Sequence, residues 1–231
     1  MRDGSPDEAT EVERIRAAYA KRDARPPRHP AIAEAYRLIN VERRARTAAM
    51  IERNGGPDLR LIDVGCGSGL DLAAWLALGW PAERLAGVDL VAERISLARA
   101  ACPGVDLRVT TGSDLPFPAD SFDIATAVTV FSSILDPLVR RRLFDEMRRV
   151  VRPGGGILVY DFVIRNPRNP HVTAMTMPRL EALGGAPLES VRLTPLIHLV
   201  ASASRLGSRA TRLAMAIAPR THRLSRWAVE D

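Results

Sequence analysis

The sequence predicts an α/β fold: a doubly wound, mostly parallel sheet of seven strands, with a helical cap at the N-terminus and a helical insertion before the last strand. Three observations carry that expectation. Strand-like and helix-like segments alternate from Asp58 to Phe162, as parallel strands joined by crossover helices require. The first strand-like run, "LIDV", passes directly into three glycines and then into a helical run. After Val163 the alternation gives way to a Pro- and Asn-rich loop, a short helix, a strand, a long amphipathic stretch and a final strand.

The elements follow in order. Residues 1 to about 10 are polar and read as disordered. From Glu11 to about Asn54 the apolar spacing is helical, interrupted by "RPPRHP" and stopped at Gly55-Gly56. "LRLIDV", "RLAGVDL", "VDLRVTT", "FDIATAVTVF" and "GGILVYDFV" read as strands; "LDLAAWLALG", "VAERISLARAAC" and "DPLVRRRLFDEMRRVV" read as helices. "RPGG" is a helix-to-strand turn, because Pro and Gly end helices. A short helix around Met177 to Leu183 precedes "LESVRLTP" and then a helix from Leu196 to Ile217, with "HRLSRWAVE" as the last strand. In that long stretch Arg205, Arg209 and Arg212 stand at i, i+4 and i+7, which makes it an amphipathic helix and not a membrane span. The 231 residues fit a single domain: a helical cap over 1–56, a sheet core over 57–164, and a loop, helices and last strands over 165–231.

Composition bounds the function. Hydrophobic residues at 46% and charged residues at 26% describe a soluble chain with a core, aliphatic because aromatic content is low. A net charge of +6 invites a nucleic-acid partner, but Lys21 is the only lysine and the arginines are interspersed with 27 acids, so nucleic acid is disfavoured. Cys66 and Cys102 make neither a disulfide framework nor a metal-ligand spacing, and no metal site is expected. The opening "MRDGSPDEATE" lacks the apolar centre of a signal peptide, so a cytoplasmic location is expected.

The glycine turn narrows the ligand. A dinucleotide site wants G-x-G-x-x-G; here Gly65, Gly67 and Gly69 are spaced G-x-G-x-G and Leu70 follows. No Walker lysine is present. Asp63, two residues ahead of the first glycine, would repel a pyrophosphate but suit an ammonium group. Asp89, twenty residues past Gly69 at the end of the next strand, is placed to accept from two ribose hydroxyls. A ribose acceptor with no phosphate cradle, beside a carboxylate for a cation, fits S-adenosylmethionine.

The ordered set "LRLIDVGCGSGLDLAAWLALG", "LAGVDLVAERISLARA", "TTGSDLPFPADSFDIATAVTVFSSILD" and "MRRVVRPGGGILVYDF" resembles the class I S-adenosylmethionine-dependent methyltransferase family over roughly Leu59 to Phe162. A softer similarity, in "RIRAAYAKR" and "YDFVIRNPRNPHV", is to small bacterial methyltransferases of uncertain or natural-product substrates. The resemblance implies a Rossmann-like core in which Gly65 and Gly67 approach the methionine portion and Asp63 orients its amino group. It also implies that Asp89 takes the ribose hydroxyls, Leu90 packs on the adenine, Thr111, Gly112 and Ser113 border the adenine edge, and Thr129 flanks the cofactor. Many relatives carry an acid where Thr111 stands, and Asp114 is the substitute here.

Methyl transfer from a sulfonium needs alignment and exclusion of water, and a base only when the acceptor is a poorly ionised group. The expected product is an O-methylated small molecule. Contacts to the acceptor are expected from Tyr19, Ser132, Ser133, Asp136, Tyr160, Asp161, Asn166, Asn169 and His171, with His171 as the base. His198 and His222 read as packing or rim residues. An RNA methyltransferase and a non-catalytic S-adenosylmethionine-binding protein are the alternatives, and a homodimer is left open.

Overall fold

A computed structural model describes residues 6–24, 29–52, 55–110, 113–164 and 169–230. Seven strands form one sheet in the order β3-β2-β1-β4-β5-β7-β6. They are β1 (Leu61–Val64), β2 (Leu85–Asp89), β3 (Asp106–Val109), β4 (Phe122–Val128), β5 (Val151–Phe162), β6 (Glu189–Pro195) and β7 (Arg220–Ala228). The first five are mutually parallel; β7 is antiparallel to both β5 and β6. The C-terminal ends of β1 to β5 and of β6 therefore share one edge, and β7 starts from it. Sheets of this kind hold ligands on that edge, where the strand order reverses beside β1.

The helices are α1 (Pro6–Asp23), α2 (Pro30–Glu52), α3 (Leu70–Ala77), α4 (Ala92–Ala101), α5 (Pro137–Val150), α6 (Met177–Gly184), α7 (Ile197–Ser204) and α8 (Ser208–Ile217). Strand alternation sorts the core onto two faces. Ile62, Val64, Ala125, Ala127, Ile157 and Val159 point towards α5, where they pack with Leu143, Phe144 and Met147. Leu61, Ile124, Leu158 and Leu224 point the other way and pack with Met50, Ile51, Leu72 and Ile95. All four β1 residues are buried, as expected for a central parallel strand.

Three boundaries differ from the sequence reading. Helix α1 begins at Pro6, so residues 6–10, expected to be disordered, are helical; Glu8 ties them to Ser113. The 196–217 stretch is two helices, split by a turn at Arg205 to Gly207 in which Gly207 takes φ +101°. Arg205 consequently lies in the turn, and the three arginines do not share one helix face. Strand β5 starts at Val151 and absorbs "RPGG" at a register shift against β4.

Candidate cofactor and acceptor site

The glycine turn is built by its backbone. Gly65 and Cys66 both donate N–H to the Val88 carbonyl at 2.8 and 2.9 Å, which holds the end of β1 against β2. Gly65 has φ +73°, and a Cβ there would stand 2.5 Å from Val130 Cγ2, so only glycine fits. Gly67 has φ +56° and a Cβ there would meet nothing within 4 Å: the space beside the turn is a cradle that a side chain would fill.

Asp89 organises that cradle. One carboxylate oxygen accepts the Gly67 N–H at 2.9 Å and the other accepts the Val91 N–H at 2.9 Å. A carboxylate has about four acceptor sites, so two remain for a ligand. Asp89 lines a cleft of about 660 Å³ of empty space, counting its open mouth. Val64 and Gly65 from β1, Val88 and Leu90 around the end of β2, and Thr110, Ser113 and Leu115 after β3 form one wall. Val130, Ser133, Ile134, Val139 and Leu143 form the other. Val12, Ile15 and Tyr19 of α1 form the roof.

Polar side chains hold that roof in place. Glu8 accepts from Ser113 N–H at 2.7 Å and from its hydroxyl at 2.5 Å. Glu11 accepts from the Leu135 N–H and, at 3.4 Å, from Asp136 N–H. Arg14 donates to the Ser133 carbonyl at 2.5 Å, and Arg16 to the Leu90 carbonyl at 3.1 Å. Burial pushes both glutamates up, but their hydrogen bonds and the Arg142 and Arg14 guanidiniums outweigh it, and both lie below the ordinary carboxylate value. Of these residues Tyr19 is expected from the sequence, and Glu8, Glu11, Val12 and Ile15 are not. Val12, Ile15 and Tyr19 do stand at helical spacing, a stripe whose destination only the fold reveals.

A second cavity adjoins the first and shares Ile15, Tyr19 and Ser133 with it. It encloses about 840 Å³, again counting its mouth, between α1 and the 169–172 segment. Asn169 and His171 line it, along with Arg14, Lys21 and Arg22, and among the described residues no carboxylate does. The Tyr19 hydroxyl meets Ser133 Oγ at 3.1 Å at the junction of the two cavities.

Several predicted residues lie elsewhere. Asp63 faces the α2 side of the sheet, where it accepts from Thr126 Oγ1 at 2.9 Å and does not line the cleft. Burial and the nearby Asp71 charge push it up to about 7. Thr129, with φ +56°, donates its N–H to the Tyr160 carbonyl, and its neighbour Val130 faces the cleft instead. Ser132 is fully buried and donates its N–H to Asp161 at 2.8 Å; Ser133 takes the position expected of it. Tyr160 is buried on the α2 face, stacked on His222 at 4.9 Å with its hydroxyl bonded to Thr194. Strand alternation turns it away from both cavities. Asp136 caps α5 by accepting from Leu138 and Val139 N–H. Asp161 is held by backbone N–H groups and pushed up by burial to about 6. Thr111, Gly112 and Asn166 lie outside the described residues.

Comparison with known proteins places this geometry. Residues 62–159 match the family described as methyltransferase domain. A phosphatidylethanolamine N-methyltransferase of Cereibacter sphaeroides is 31% identical over 136 residues, 55% of this chain and 61% of the relative. A ubiquinone/menaquinone biosynthesis C-methyltransferase, UbiE, of Syntrophotalea carbinolica is 32% identical over 152 residues, 60% of each chain. The chain thus spans about three fifths of the length of these curated relatives. Among solved structures, the geranyl diphosphate C-methyltransferase of Streptomyces coelicolor A3(2) superposes with a TM-score of 0.60 at 19% identity, covering 88% of this chain and 85% of that one. The match, the sheet order and the glycine cradle agree: residues 62–159 are similar to a methyltransferase domain, on a Rossmann-like sheet of the kind class I S-adenosylmethionine-dependent methyltransferases have.

Proposed function

We propose that this chain is an enzyme that methylates an oxygen of a small-molecule acceptor, with 1–231 acting as one domain. The observation that carries the reading is the pair of joined cavities: a glycine- and Asp89-lined cleft opening past Tyr19 and Ser133 into a cation-lined chamber. S-adenosylmethionine, when bound, supplies a methyl group already activated on sulfur. Gly65 and Gly67 let the backbone approach it, Asp89 accepts from its ribose hydroxyls, and Leu90 packs on the base. Ser113, with Thr111 and Gly112 before it, borders the base edge.

The chain's remaining work is alignment and desolvation. Val12 and Ile15 close the cleft with apolar surface, and Tyr19 and Ser133 stand where the two ligands meet. An oxygen acceptor is supported by the second chamber's charge. Arg14, Lys21 and Arg22 favour an ionised hydroxyl, and His171 is the group there that can take its proton.

Thermal unfolding with and without S-adenosylmethionine or its demethylated product tests the cofactor half. A hundredfold excess over Kd stabilises by about 2.7 kcal/mol. Asp89→Ala is expected to weaken binding at least about tenfold, since it removes a charged acceptor. His171→Ala should leave cofactor affinity intact and lower turnover of acceptors found by labelled-methyl transfer into cell extract. An unchanged Tm with the cofactor overturns the reading.

A further inference from the structure

The α7–α8 hairpin is the least buried helical part of the molecule. Helix α8 has no buried residue, and α7 buries only Val200 and Ala201. Five of its large apolar side chains are exposed, from Leu196 at 38% to Leu206 at 82%, with Leu199, Leu213 and Ile217 between. Single exposed leucines need no explanation, but five within 22 residues form a patch that monomeric proteins seldom leave open.

The hairpin's own charge has one sign, and the Glu42 carboxylate of α2, the helix it packs on, is taken up by Arg220 at 3.2 Å. From Ser190 to Val229 the chain holds seven arginines and no acid. Among the described residues no carboxylate pairs with Arg205, Arg209 or Arg212, all three exposed on or beside the hairpin turn. Identical basic faces repel, which disfavours a second copy as the partner. A nucleic acid would engage the arginines but leave the leucines in water. An anionic bilayer satisfies both: phosphates meet the guanidiniums while apolar side chains enter the interfacial layer. No described helix is long and apolar enough to cross a membrane, so the contact is peripheral.

We propose that the α7–α8 hairpin docks the protein on an anionic lipid surface. Leu206, Leu213 and Ile217 insert at the headgroup boundary, and Arg205, Arg209 and Arg212 contact the phosphates. The hairpin leaves β6 at Pro195 and enters β7 at Arg220, on the same sheet edge as the cofactor cleft. Docking therefore brings the cleft edge to the lipid. The inference concerns binding and holds whether or not methyl transfer occurs.

The full chain should sediment with phosphatidylcholine vesicles containing about 30% phosphatidylglycerol and bind pure phosphatidylcholine at least about tenfold more weakly. Raising the salt should release it. Leu213→Ser/Ile217→Ser and Arg209→Glu/Arg212→Glu should each weaken vesicle binding about tenfold without lowering Tm, because all four side chains are exposed. Arg46→Glu/Arg148→Glu, exposed positions on α2 and α5, makes the same change in net charge and should leave binding within about twofold. Equal loss in that control overturns the proposal in favour of diffuse charge. Absence of a preference for anionic vesicles overturns it outright. It also falls if the leucine variant dissociates a dimer with no vesicle binding, or if only poly(U) binding depends on the arginines.

Discussion

Helices α1 and α2 are neighbours in sequence and belong to one predicted cap, yet they sit on opposite sides of the sheet and are held by different forces. Helix α2 buries Ala35, Ile39, Met50 and Ile51, and its Arg43 bonds Asp71 at 2.6 Å deep under the glycine turn. Helix α1 buries little beyond Glu11, Val12 and Ile15 and is fastened by Glu8, Glu11, Arg14 and Arg16 to backbone and hydroxyl groups across the cleft. Apolar burial is lost only when the core opens, whereas each exchanged hydrogen bond nets about 1 kcal/mol and water replaces it readily. Helix α2 is thus part of the scaffold, and α1 is a roof over the cleft held mainly by polar contacts.

The largest effect should come from the scaffold. Ile51→Ala, at a fully buried position, should cost about 3 kcal/mol in urea unfolding. Glu11→Gln should cost about 1.5 kcal/mol of α1 docking, read as faster amide exchange confined to α1 and weaker cofactor binding, with little change in global stability. If global stability falls as far as in Ile51→Ala, α1 is core and the distinction collapses.

Acid should separate the two helices further. Glu8 and Glu11 lie below their ordinary value in the folded protein, so their stabilisation is present above about pH 4.5 and lost as pH falls through the folded value. Exchange protection in α1 should fade there while that of α2 persists; simultaneous loss would contradict the roof. Asp63 behaves oppositely. Its folded value is raised to about 7, so its contribution is largest below the unfolded value near 4 and declines as pH rises towards 7. Asp63→Asn should flatten that slope and leave the variant at least as stable as the parent at pH 8, because it removes a buried charge that costs stability when ionised. A loss at pH 8 would mean that the ionised carboxylate is needed beneath the glycine turn.

Much of the fold was readable because it is governed by local signals. Alternation of strand and helix, the glycine spacing and the position of Asp89 are all properties of short segments, and the sheet and cradle follow from them. Tyr160, Ser132 and Thr129 point away from the cleft for a different reason. All lie in the expected segments, but a one-residue step along a strand or tight turn reverses the direction of a side chain, so that Val130 faces the cleft beside Thr129 and, of the two expected serines, only Ser133 does. Asp63 and Asp89 are both strand-end acids with a ligand role expected of each; Asp63 is buried on the other face of the sheet against Thr126, and only Asp89 lines the cleft. The helix break at Gly207 was hidden by continuous apolar spacing across it.

The chain's own residue order thus determined the sheet, the glycine cradle at its edge and the carboxylate that stands beside it. These depend on periodicity and on backbone conformations that only glycine tolerates. Which helix roofs the cleft, which serine faces it and where the unpartnered leucines and arginines collect were decided by packing. Packing sets contacts between residues more than a hundred positions apart, such as Glu8 with Ser113 and Tyr19 with Ser133, and no local pattern encodes such a pair.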